Sequence, residues 1–168
     1  KHARHFQDGF TAEIRLKSGF IMEEQVLVEG VNLGWITITS EDSEVTIRRS
    51  SLTDDRLAEG FYPAFGVNFG TLPTIGALFN LDSTGDATNR SGVEARQNSR
   101  VNILQGCGVK NAGRRGLFVY QGSIANAAGS IFSGSGQDGI MAESGSTVNA
   151  QESDVSNAAR HGFHAYMS

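Results

Sequence analysis

Gly92-Val93-Glu94-Ala95, Gly116-Leu117-Phe118-Val119, Gly139-Ile140-Met141-Ala142 and Gly162-Phe163-His164-Ala165 are one phrase written four times, at spacings of 24, 23 and 23 residues. Serine stands seven places after the first three glycines (Ser99, Ser123, Ser146) and asparagine ten places after (Asn102, Asn126, Asn149). A period in the twenties marks a solenoid, in which each repeat buries its apolar face only by stacking on its neighbours. The C-terminal half therefore reads as a stack of coils, and function becomes a question of what the stack displays outside.

Apolar residues alternate after each glycine: Val93 and Ala95, Leu117 and Val119, Ile140 and Ala142, Phe163 and Ala165. A period of two is a strand with those side chains inward. A second strand turns Val101 and Ile103, Ala125 and Ala127, Val148 and Ala150 inward. A third does the same with Cys107 and Val109, Ser130 and Phe132, Ser153 and Val155. Ala112, Ser135 and Ala158 share one small position before the next glycine. The Gly, Ser and Asn content makes a helix costly. The reading is all-β: a right-handed, single-stranded parallel β-helix with coils of about 23 residues, its hand set by the bias of parallel crossovers. Turn chemistry accounts for the repeated Gly, Ser and Asn. Asn111 and Asn157, with Gly134 between them, are expected to turn inward as an amide ladder, and Asn102, Asn126 and Asn149 to face out.

The 168 residues suffice for one domain with a core. Glycine supplies 21 of them, above the usual ~7%, while the 2 prolines argue against collagen or a Pro-rich linker. With 14 basic and 18 acidic residues and no basic patch, nucleic acid is not expected as a partner. No apolar run reaches transmembrane length, so no membrane insertion is expected. Cys107 is alone and reads as a small inward hydrophobe. Lys1-His2-Ala3-Arg4-His5-Phe6 does not have the form of a signal peptide, and Ser168 falls mid-repeat, so residues 1–168 are expected to be a fragment of a longer chain.

Residues 1–50 read as irregular early coils, with strands near 11–16, 25–28, 33–39 and 45–48 and turns at Asp8-Gly9, 17–19 and 40–43. Residues 51–91 read as excursions and lead-in: a loop over 51–66, a return over 70–81 and a second polar loop over 82–91. Residues 92–168 are the regular coils. Long excursions from a solenoid tend to carry function; the plainer reading of 51–66 is a surface loop whose aromatics fold back on the coil.

Three stretches resemble bacteriophage tailspike and tail-fibre proteins: Gly145-Ser146-Thr147-Val148-Asn149-Ala150, Ser133-Gly134-Ser135-Gly136-Gln137-Asp138-Gly139 and Gly106-Cys107-Gly108-Val109-Lys110-Asn111-Ala112. Leu33-Gly34-Trp35-Ile36-Thr37-Ile38, followed by Leu72-Pro73-Thr74-Ile75-Gly76, looks like the lead-in of such proteins. The resemblance implies a homotrimer of β-helices, made in the host cytoplasm without a signal peptide and carried on the virion tail. Bacterial surface polysaccharide is the implied partner, bound or cleaved by hydrolase or lyase chemistry. No catalytic motif of the family maps onto this chain, and no cofactor is implied.

Two outward columns follow from the strand alternation: Glu94, Phe118, Met141 and His164, and beside them Arg96, Tyr120, Glu143 and Tyr166. Phe118, Tyr120, Tyr166 and Arg96 suit either a subunit seam or sugar stacking, the seam being favoured because Phe and Met are apolar for a sugar groove. A third column, Arg115, Asp138 and His161, precedes the glycines. It can hold a sugar carboxylate or move a proton, or it is a mixed-charge turn ladder of small energetic weight, the plainer alternative. Glycoside hydrolysis needs two carboxylates. Glu94 and Glu143 lie two coils apart, roughly 10 Å along the axis. His161 and His164 carry no further ligand spacing, so no metal site is expected.

Overall fold

The computed structural model describes residues 10–57 and 60–166, so the Asp8-Gly9 turn lies outside the described residues. Each coil contributes up to three short strands. The first three coils are β1 (Ala12–Leu16), β2 (Ile21–Met22) and β3 (Val26–Glu29); β4 (Ile36–Ser40), β5 (Val45–Ile47) and β6 (Tyr62–Asn68); and β7 (Thr74–Ile75), β8 (Leu78–Leu81) and β9 (Arg90–Arg96). The fourth holds β10 (Arg100–Asn102), β11 (Gly108–Lys110) and β12 (Leu117–Val119). The fifth holds β13 (Ile124–Asn126) and β14 (Asp138–Glu143), and the sixth β15 (Thr147–Asn149) and β16 (His161–Tyr166). In these last two coils the third corner shrinks to single bridges, from Gly108 to Ile131 and from Ile131 to Asp154. Helical structure among the described residues is one 3-10 turn, Arg49–Ser51, and no helix is long and apolar enough to cross a membrane.

Every strand pairing among the described residues is parallel, and the longest sheet stacks β3, β6, β9, β12, β14 and β16, one strand per coil. Val26, Phe65, Val93, Leu117, Ile140 and Phe163 fall in one row across it. The 24- and 23-residue spacings of the sequence are thus the register of this sheet. Inward residues form a continuous core that includes Phe65, Phe79, Val93, Ile103, Leu117, Phe132 and Ile140, with Phe65 and Phe79 meeting edge-on at 4.9 Å. Cys107 packs half-buried against this core, and burial pushes its thiol pKa up. Val148, Val155 and Phe163 keep the inward register but are less covered, since the sixth coil has a neighbour on one side only among the described residues.

The repeated glycines have a different cause from the one expected. None of Gly92, Gly116, Gly139 and Gly162 has a positive φ; they lie in or beside strands of the long sheet. What they need is the absence of Cβ. A Cβ on Gly92 would stand 2.5 Å from the Gly116 carbonyl oxygen, and one on Gly116 2.6 Å from both the Gly139 carbonyl oxygen and Phe132 Cβ. On Gly139 it would stand 2.6 Å from Val155 Cβ. Side chains from the third corner already fill that volume. Turn chemistry governs another column, Asn111, Gly134 and Asn157, with φ of 55°, 72° and 56°.

That column is not an inward ladder: Asn111 and Asn157 are exposed, and Asn111 Nδ2 donates to Asn80 Oδ1 at 2.7 Å. The ladder that does form faces out, as expected for its members. Asn149 Nδ2 donates to Asn126 Oδ1 at 3.1 Å, and Asn126 Nδ2 to Asn102 Oδ1 at 3.0 Å. At about 0.5 kcal/mol per exposed bond, Asn126→Ala should lower unfolding free energy by about 1 kcal/mol, measured by urea denaturation. Behind the ladder the serines stack: Ser99 and Ser123 are fully buried, and the Ser99 amide donates to Ser123 Oγ at 3.1 Å.

The first excursion is shorter than residues 51–66. Tyr62-Pro63-Ala64-Phe65-Gly66 belongs to β6, between β3 and β9 in the long sheet. Pro63 is tolerated because β3 begins opposite Phe65, leaving no ladder partner for its missing N–H on that side. The polar loop likewise ends before Arg90, where β9 starts.

Candidate functional site

The outer face of the long sheet is where the structure departs most from the outward columns of the sequence. Glu94, Phe118 and Met141 point away from the core, yet they are only 1%, 3% and 6% exposed. Their cover is local. The Arg115 guanidinium lies 4.0 Å above the Phe118 ring centre and that of Arg96 lies 5.2 Å from it. Tyr120, half-buried, stacks alongside Phe118 at 5.6 Å. Phe61, at the end of the excursion that precedes β6, receives Arg114 at 3.8 Å and Arg96 at 5.7 Å. Phe118 is therefore unavailable as a seam residue, while Tyr166 stays 56% exposed.

The charged groups of this face converge. Glu94 Oε2 accepts from Arg96 Nη2 at 3.0 Å and Nε at 3.1 Å. Asp138, 1% exposed, lies opposite His161 in the register, and its Oδ1 is 2.7 Å from His161 Nδ1. Arg115 Nε approaches Asp138 Oδ2 to 3.9 Å, an ion pair without a hydrogen bond. The column Arg115, Asp138 and His161 thus meets at Asp138, a geometry that a ligand-binding cluster and a mixed-charge ladder share. His164, from the neighbouring column, joins it: its Nδ1 is 3.7 Å from Asp138 Oδ1, and its ring centre is 4.7 Å from that of His161. The expectation of no ligand pattern around the two histidines is corrected here, because their third companion is Asp138, one coil away. Glu143 sits at the far end of β14, opposite Tyr166, so the buried carboxylates of the face are Glu94 and Asp138.

Several buried atoms of the face have no hydrogen-bond partner: Glu94 Oε1, Asp138 Oδ2, Arg114 Nη1, Arg115 Nε and His164 Nδ1. Burial, and then the charge of Arg115, press the Arg114 pKa down to about 10. Burial lowers that of Arg115 as well, against the pull of Glu94, Glu143 and Asp138. In physical terms, both guanidinium charges are desolvated without enough anion beside them. A face built this way has strong donors and acceptors held in place by packing and not fully used within the chain.

Comparison with known families agrees with the geometry: a profile described as a right-handed β-helix region matches residues 80–168, more than half of the chain. The chain belongs to the right-handed β-helix family. No curated protein and no solved structure matches it. As in other parallel solenoids, this β-helix separates its two jobs by strand parity, the inward residues holding the coils and the outward ones forming the face. Sequence reasoning named Arg96, Arg115, Asp138, His161 and Glu94, and its reading of loop aromatics folding back on the coil fits Phe61 against Arg114. It missed that His164 reaches Asp138 across columns. The three-residue spacing of His161 and His164 gave no hint, because in a flat strand such positions point to opposite sides.

Proposed function

We propose that this β-helix binds an acidic polysaccharide on the outer face of its long sheet, as the glycan-recognising segment of a tailspike or tail-fibre protein. The observation that carries the reading is the pair Arg114 and Arg115, desolvated and with unused N–H donors, set against Phe61, Phe118 and Tyr120. A sugar carboxylate would meet guanidinium forks that bind it bidentately. Tyr120 and Tyr166 would receive the apolar face of the ring. The β-helix scaffold is compatible with proteins that bind or degrade polysaccharide. The tailspike context rests on the sequence resemblance, and with it come a homotrimer, action outside the cell from a virion tail, and bacterial capsule or O-antigen as the target.

A second reading, depolymerisation, is favoured by one further observation: Glu94 and Asp138 are buried carboxylates that each keep one oxygen without a hydrogen-bond partner. A proton donor and acceptor for glycoside hydrolysis or for uronate elimination would have that form. The test is a panel of acidic and neutral bacterial polysaccharides, read by calorimetry for binding and by size exclusion for chain length. Binding of acidic polymers that is weakened at least tenfold by Arg115→Ala is expected, and indifference of all polymers sinks the reading. Shortened chains with new unsaturated-uronate absorbance indicate a lyase, and shortened chains without it a hydrolase. Light scattering tests the assembly: a mass of three chains is expected, and a monomer at micromolar concentration removes the trimer.

A further inference from the structure

We infer that Asp138, His161 and His164 form a binding site for a divalent transition-metal ion of the zinc type. Each offers one ligand atom, and these atoms all lie within 4.8 Å of one another. Asp138 Oδ1 is 2.7 Å from His161 Nδ1 and 3.7 Å from His164 Nδ1. Two ligands of a tetrahedral ion bound at about 2.1 Å stand about 3.4 Å apart, a separation that the two observed distances bracket. The ligand atoms of the two histidines lie within 4.8 Å of each other, so side-chain rotation closes the site around an ion.

A second, independent observation points the same way. Asp138 is 1% exposed, and its Oδ2, like His164 Nδ1, is buried without a hydrogen-bond partner. An unsatisfied buried polar atom costs ~1–3 kcal/mol, and coordination through Nδ1 removes that cost at His164. The donor set selects the ion. Two imidazoles and one carboxylate suit zinc, copper, nickel or iron, whereas calcium and magnesium take oxygen ligands. Three protein ligands leave a coordination position open, and His161, with its side chain 47% exposed, gives access from solvent. Arg115, 3.9 Å from Asp138 Oδ2, holds the carboxylate from behind and leaves Oδ1 to the ion; its positive charge moderates the affinity. The site needs no glycan, so it stands or falls apart from the polysaccharide reading.

The experiment is a calorimetric titration of chelator-treated protein with zinc ion at neutral pH, in the absence of polysaccharide. One saturable site per chain is expected. His161→Ala, His164→Ala and Asp138→Asn should each weaken it by at least ~100-fold, beyond the 10–100-fold typical of residues that only support ligands. His2→Ala with His5→Ala, which removes the chain's other histidines, should leave it unchanged. Imidazole resonances of the unmutated protein provide a readout that does not depend on how the variants fold: zinc should shift the two belonging to His161 and His164. The proposal is overturned by an absence of saturable binding, by binding that vanishes with His2 and His5, or by zinc that leaves the His161 and His164 resonances in place.

Discussion

Gly116→Ala is expected to destabilise the protein by about 3 kcal/mol or more. The new Cβ would meet the Gly139 carbonyl oxygen at 2.6 Å, Phe132 Cβ at 2.6 Å and Ser135 Oγ at 2.9 Å. Overpacking of ordinary cores costs ~1–3 kcal/mol because side chains can give way. Here one obstacle is the backbone of the next coil and another is the root of a fully buried phenylalanine. Relief requires prising coils apart, and in a solenoid that weakens a nearest-neighbour interface on which stability depends. Gly162→Ala is the control. Its Cβ would come close only to Val155 Cγ2, at 2.9 Å, with nothing else nearer than 3.8 Å, so a loss below about 1 kcal/mol is expected. Equilibrium denaturation of both variants decides the matter. Equal losses would show that these glycines serve backbone conformation rather than close approach.

Arg96→Ala should cost about 3 kcal/mol. Glu94 is buried and its charge is held by the Arg96 fork, itself only 16% exposed along the side chain. Removing one partner of a buried pair leaves an uncompensated charge, for which ~3–5 kcal/mol is typical; Arg115 offsets part of it from nearby. The joint replacement Glu94→Leu with Arg96→Met should return stability to within about 1 kcal/mol of the parent, since an apolar pair of similar volume is often neutral or better. Thermal melts of the two variants separate the cases. If the joint variant is as unstable as Arg96→Ala, the cost lies in lost stacking of Arg96 on Phe61, Phe118 and Tyr120 rather than in the orphaned carboxylate.

The register of the long sheet could be read before any coordinate existed, because a solenoid repeats its packing problem and Val93, Leu117, Ile140 and Phe163 solve it in the same way. The column Arg115, Asp138 and His161 was legible for the same reason: a fixed period stacks like positions. Burial of the outer face was not. Alternation says which way Phe118 points, but not that Arg96 and Arg115 will close over it. Nor did it show that Pro63 lies within a strand, since a proline is compatible with a sheet only where a neighbouring strand has not yet begun. The contact of His164 with Asp138 was not legible because it joins two columns, and period-based reading follows one column at a time.

The steady spacing of 23 to 24 residues between rows of the long sheet also bears on how such a face could change by inheritance. Loss or duplication of one whole coil rejoins the chain in phase. Every remaining side chain keeps its orientation and shifts along the axis by one strand spacing, about 4.8 Å. Recombination within the repeat can therefore draw Glu94 nearer to Asp138 or move it further away, in fixed steps and without redesigning the interior. Point substitutions alter what each row says, while the coil number sets how far apart the rows speak.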